Sequence, residues 1–194
     1  MANITKVSVL DMSTVRIDEL GHTTGGNPYV KITCPREVQI GSDKSRLNLP
    51  FDLNEPEGDH CVYSGKVRVA EDPETADKLV ELDRAIQDQC LKKHPDLFQG
   101  KTYVPISKHN EIGGGRDVLV KFTFGNPESW KNTKVYEKLQ DGVYNAVTKD
   151  RLMAGCECVV IGSLTSIWIR DDKFGARFAV KRAIAYPYAL FLDD

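Results

Sequence analysis

Rings and cations at alternate positions near the end of the chain are the residues best suited to chemistry. Trp168 and Arg170 share one parity of the segment 163–170, and Arg177 and Lys181 share one parity of the segment 176–185. Successive side chains of a strand point to opposite faces, so an indole and several cations would project from one face of a hairpin. Unpaired bases stack on rings and phosphates pair with cations, which suits a single-stranded nucleic acid. The same pattern also fits an amphipathic hairpin whose outer face is merely solvated.

The other parities carry the core candidates: Val159, Ile161, Ile167 and Ile169 on the first strand, Phe178, Val180 and Ile184 on the second. Asp171-Asp172-Lys173-Phe174-Gly175 is the expected turn, with Gly175 free to take a positive φ. Lys173 and Phe174 then join the candidate phosphate and base contacts. Strict alternation puts Arg182 on the core face, so a bulge or the strand end must redirect it before it can reach a phosphate. Lys121, inside the strand pattern Val118-Leu119-Val120-Lys121-Phe122-Thr123-Phe124, is a further cation, and Tyr103 a further ring. Trp130, Lys131 and Lys134 follow in a polar loop as a second aromatic-plus-cation patch, where a core-anchoring Trp130 stays an open alternative.

The elements that must position these groups are mostly short strands. Ile4 to Leu10, Tyr29 to Cys34, Val38 to Ile40, Cys61 to Val69 and Lys101 to Ile106 read as strands, Leu47 to Leu53 as an irregular edge broken by Pro50, and Val135 to Val147 as mixed. Gly21 to Pro28 is a flexible link without the lysine of a phosphate-binding loop. One long helix is expected from about residue 73 to 94. Asp72 caps it, Pro73 and Glu74 suit its first turn, and Ala76, Leu79, Leu82, Ile86 and Cys90 form its apolar stripe. Its exposed face is acidic and should point away from any nucleic acid.

The chain of 194 residues carries a net charge of −2, which argues against binding by bulk positive charge. Charge is segregated along it: residues 71–96 hold eight acids against four Lys or Arg, and residues 147–188 hold seven Lys or Arg against four acids. Catalytic signatures are missing. The four histidines are scattered, and Cys156-x-Cys158 has no second pair to complete a zinc site, so neither an enzyme, a metal nor a cofactor is expected. The five cysteines form no C-x-x-C, the first residues do not read as a signal peptide, and no apolar run is long enough for a membrane span. An intracellular, reducing compartment follows as the expectation.

The order of elements then resembles a known family. A strand leads into a helix opening D-P-E-T-A-D-K-L, a Tyr/Pro segment and a glycine-rich turn follow, then V-L-V-K-F-T-F, and last S-L-T-S-I-W-I-R-D-D-K-F-G-A-R-F-A-V-K-R-A-I-A-Y-P. This is similar to the single-stranded-DNA-binding proteins of short-tailed bacteriophages, and the hairpin also resembles counterparts in large eukaryotic DNA viruses. The similarity covers roughly Val62 to Asp194, and is residue by residue only in the hairpin. It implies an oligonucleotide/oligosaccharide-binding (OB) barrel with a helix between strands, a role in replication or recombination, and a homodimer. In the phage proteins a long acidic tail ending in an aromatic residue meets replication proteins and competes with DNA. Here Phe191, Asp193 and Asp194 are present, but the extended acidic run is missing.

The expected architecture is thus mainly β: an OB-like barrel of roughly five or six strands with one inserted helix. It forms a single domain over residues 1–187 and ends in a short aromatic and acidic tail at 188–194. The expected function is sequence-tolerant binding of single-stranded DNA, with RNA as a further ligand, in viral or phage replication, recombination or repair, in the host cytoplasm or nucleus. The alternative is a viral structural or scaffold protein that binds protein partners through the same hairpin.

Overall fold

In the computed structural model, residues 4–34, 36–54, 64–69, 72–109, 118–123, 133–139 and 141–186 are described. The first strands are β1 (Ile4–Lys6), β2 (Arg16–His22), β3 (Pro28–Thr33), β4 (Glu37–Ile40), β5 (Leu47–Asn48) and β6 (Ser64–Val69). Helix α1 (Pro73–Lys93) and the short α2 (Pro95–Phe98) come next. Then follow β7 (Thr102–Tyr103), β8 (Ser107–His109), β9 (Val118–Thr123), β10 (Lys134–Lys138), β11 (Tyr144–Val147), β12 (Glu157–Arg170) and β13 (Lys173–Ala185).

Five strands close on themselves. β5 pairs with β6, β6 with β9, β9 with β13, β13 with β12, and β12 again with β5. This is the expected OB-like barrel with one long helix inserted between its strands. The remaining strands extend it: β3 and β2 along the far half of β12, β4 and β1 along its near half, and β10 and β11 along β13. The stretch read as mixed is therefore the β10–β11 hairpin, turned at Gly142 with φ 83°.

Helix α1 forms where the cap and stripe place it. The Asp72 carboxylate accepts from the Thr75 amide at 2.9 Å and the Thr75 hydroxyl at 2.7 Å, satisfying one of the amide groups that the first turn leaves free. Its apolar stripe joins the barrel core. Its last turns are tied to the chain around β2, with the Gln89 amide donating to the Val15 carbonyl and Lys93 Nζ to the Ile17 carbonyl, each at 2.9 Å. Pro95 ends it.

Two register shifts decide which side chains of the long hairpin face inward. Leu164 pairs with Phe178 and Ser166 with Arg177, which leaves Thr165 extra; Ile161 pairs with Arg182 and Gly162 with Val180, which leaves Lys181 extra. Each bulge resets the alternation. The core therefore takes Cys158, Val160, Leu164 and Ile167 from β12, with Phe174, Phe178, Val180, Ala183 and Ala185 from β13. Val159, Ile161 and Ile184, expected in that set, alternate with it and stand on the opposite face, while Ile169 packs partly buried against the core. The turn is also tighter than expected. Asp171 and Asp172 make it, closed by the Arg170–Lys173 pair, and Asp171 itself takes the positive φ of 52°. Gly175 lies within β13.

Candidate nucleic-acid interface

The outer face of the sheet carries one cross-strand row of four residues. Gly21 on β2 pairs with Tyr29 on β3, Tyr29 with Trp168 on β12, and Trp168 with Gly175 on β13. The two rings sit over the two glycines. A Cβ on Gly21 would fall 3.0 Å from the Tyr29 ring, and one on Gly175 would fall 2.8 Å from the Trp168 ring and 2.5 Å from the Val104 carbonyl oxygen. With no Cβ in the way, each ring can approach its glycine's backbone closely. Both aromatic residues are half-buried, as a stacking platform requires.

Cations flank this row on both sides. One step along the strands, Lys31 and Arg177 stand at either end of the Lys31–Ser166–Arg177 row, both exposed. On the turn side, Arg170 and Lys173 are paired and exposed. β13 meets β9 in parallel at Ala179–Thr123, and two residues back on each strand stand Arg177 and Lys121. Lys121 in turn faces Lys66 directly across the β6–β9 pair, and both are exposed. Like charges directly opposed on a sheet are unfavourable. Among the described residues, Lys31, Lys66, Lys121, Lys173 and Arg177 have no acidic partner, while Arg170 reaches only the exposed Asp171 at 3.8 Å. An unneutralised cationic face beside two rings combines the two groups that phosphates and bases respectively engage.

Of the residues singled out from sequence, Trp168, Arg170, Lys173, Arg177 and Lys121 come together here. Phe174 does not. It is fully buried, its ring centroid 4.6 Å from that of Phe98 and 5.2 Å from that of Tyr103, because it has the inward parity of β13. Tyr103 is turned the same way, with its hydroxyl donating to Asp83 at 2.7 Å. Arg182 is carried to the outer face by the bulge at Lys181, but there it pairs with Glu37, half-buried. Lys134, opposite Arg182, and Lys181 are exposed at the other end of β13. Trp130, Lys131, Phe191, Asp193 and Asp194 lie outside the described residues. Tyr29, Lys31 and Lys66 were missed, although the alternation of Tyr29-Val30-Lys31-Ile32-Thr33 puts ring and cation on one parity.

A buried carboxylate steadies the edge of the platform. Asp83 on α1 accepts from the Tyr103 hydroxyl, from the Ile106 and Ser107 amides at 2.8 Å each, and from the Ser107 hydroxyl. This fixes the segment 103–107, whose Val104 carbonyl abuts Gly175. Burial pushes the Asp83 carboxyl above the usual carboxylate range, against the pull of those donors.

Burial also raises the Cys156 thiol to about 11 and the Cys90 thiol to about 12, so both stay protonated and unreactive. Among the described residues no group of three or more His, Cys, Asp or Glu could hold a metal ion, and no helix is long and apolar enough to cross a membrane.

No protein-family model and no curated protein matches the chain. Among solved structures, gp2.5, a single-stranded DNA binding protein encoded by bacteriophage T7, is similar at 11% identity and a TM-score of 0.46, over 77% of this chain and 94% of that one. The single-stranded DNA-binding protein from bacteriophage Enc34, truncated at its C-terminus, is similar at 9% identity and a TM-score of 0.46, over 87% of this chain and 95% of that one. The same Enc34 protein in complex with single-stranded DNA aligns at 8% identity and a TM-score of 0.44, covering 86% and 93%.

Proposed function

We propose that this protein binds single-stranded DNA without sequence preference on the outer face of β2, β3, β12 and β13. The observation that carries the reading is the row Gly21–Tyr29–Trp168–Gly175, two rings laid on two glycines between rows of exposed cations. Tyr29 and Trp168 stack on successive bases; Lys31, Arg170, Lys173, Arg177, Lys121 and Lys66 meet the phosphates. Rings accept any base, because every base has a π face. The reading extends to work in replication, recombination or repair of a viral or phage genome, alongside replication proteins and a second copy of the chain, on the strength of the hairpin's resemblance.

Titration with oligo-dT, followed by tryptophan emission, tests it. Saturable quenching that disappears in Trp168→Phe is the expected result. Emission unchanged by any oligonucleotide, with no shift of a labelled strand in a gel, would overturn it. A parallel titration with oligo-U measures the preference for DNA over RNA, which the 2′-hydroxyl decides.

A further inference from the structure

The outer face of the long hairpin carries a second feature, at the end away from its turn. A cavity of about 380 Å³ opens there, floored by Val159, Ile184 and Tyr186 and rimmed by Lys6, Lys44 and Tyr144. Tyr144 is 49% exposed although it stands on a strand. Lys6 and Lys44 have no salt-bridge partner among the described residues. The acid of the lining, Asp43, is already taken: it accepts from Lys138 Nζ at 2.7 Å and from the Tyr186 hydroxyl. An apolar floor, an exposed ring with Lys138 Nζ 5.7 Å from its centroid, and two ammonium groups outside any salt bridge, Lys6 lying in the field of Asp72, suit a nucleotide, its base against the ring and its phosphate on the lysines.

The cavity and the aromatic row share one face of the same two strands. Val159 and Trp168 both lie on the outer side of β12, nine residues apart in sequence, or at most roughly 30 Å. Between them the outward cross-strand pairs are Ile161–Arg182, where Arg182 meets Glu37, then the small Ser163–Ala179, then Ser166–Arg177 with its exposed cation. A strand running along this face crosses the Arg182–Glu37 pair and then passes Arg177 before it reaches Trp168.

We infer that this cavity is a second nucleotide-binding subsite, which takes a base and phosphate of the same DNA strand that stacks on Tyr29 and Trp168. The inference rests on the proposed function. A strand long enough to fill both places bridges them, within the roughly 4–16 nucleotides that one OB fold covers.

The test compares oligo-dT of about three and about twelve nucleotides on the full chain, by fluorescence anisotropy. Tyr144→Ala and the double variant Lys6→Ala, Lys44→Ala should leave the short oligonucleotide's affinity unchanged. They should weaken the long one at least about fivefold, the lower end for one lost stacking contact. Unchanged affinity for the long strand overturns the subsite. Tighter binding in the lysine variant also overturns it, because the cavity then holds an acidic competitor such as the chain's own end. Failure of the unaltered protein to bind either length is a different outcome, which overturns the platform itself.

Discussion

Trp168 and Tyr29 stand half-buried on the outside of the sheet, so removing either should cost binding and leave the fold. Trp168→Ala and Tyr29→Ala are each expected to weaken oligo-dT binding by about 1–3 kcal/mol, with the melting temperature little changed. A Trp168→Ala protein that unfolds before it can be assayed would make the indole a packing residue. The glycines beneath the rings make a contrasting pair. Gly175→Ala brings a methyl group to 2.5 Å from the Val104 carbonyl, which is backbone and cannot swing aside, so it should destabilise the fold by about 1–3 kcal/mol. Gly21→Ala meets only the end of the Tyr29 side chain at 3.0 Å, which can tilt. That variant should melt normally and bind weakly, and the opposite ranking in a thermal scan would sink the argument. At this scale parity alone exposes Trp168, Arg170 and Arg177. Phe174 has the parity of Phe178 and was drawn outward only by the glycine that follows it. Tyr29 could not be paired with Trp168 from the sequence, because the row exists only once β3 docks on β12.

The contact between α1 and the 103–107 segment is a matter of elements, and Asp83 is its pivot. Asp83→Asn turns an NH2 group toward donors, stranding buried hydrogen-bonding groups, and should cost about 1–3 kcal/mol. The pH dependence has a definite sign. Burial raises the carboxyl in the fold above its ordinary value of 3.8, so the folded protein keeps its proton after the unfolded chain has lost it. The stability this contributes is present below that ordinary value and declines as pH rises through the raised one. The stability advantage of the unaltered protein over Asp83→Asn should therefore shrink with rising pH. Melting curves that keep a constant gap across acid and neutral pH would show that the donors cancel the burial. The helix itself was legible, since Asp72, Pro73 and the stripe from Ala76 to Cys90 are local signals. The barrel wall was not, because Thr165 and Lys181 are ordinary strand residues whose bulges arise from pairing between distant segments.

For the molecule as a whole, a net charge of −2 coexists with a cationic face, so the proposed attraction to DNA is local and screenable. The logarithm of the binding constant should fall with the logarithm of salt concentration, by about 0.7 per phosphate neutralised on a single strand. A flat salt response would leave the cations without a role. The like-charge contact of Lys66 and Lys121 on β6 and β9 has a thermal counterpart. Without a ligand the barrel wall holds a repulsion that any polyanion relieves. Heparin, which has no bases, should raise the melting temperature yet leave indole emission untouched, whereas oligo-dT should change both. Heat and light would then report charge and stacking separately, each from a different wall of one small barrel.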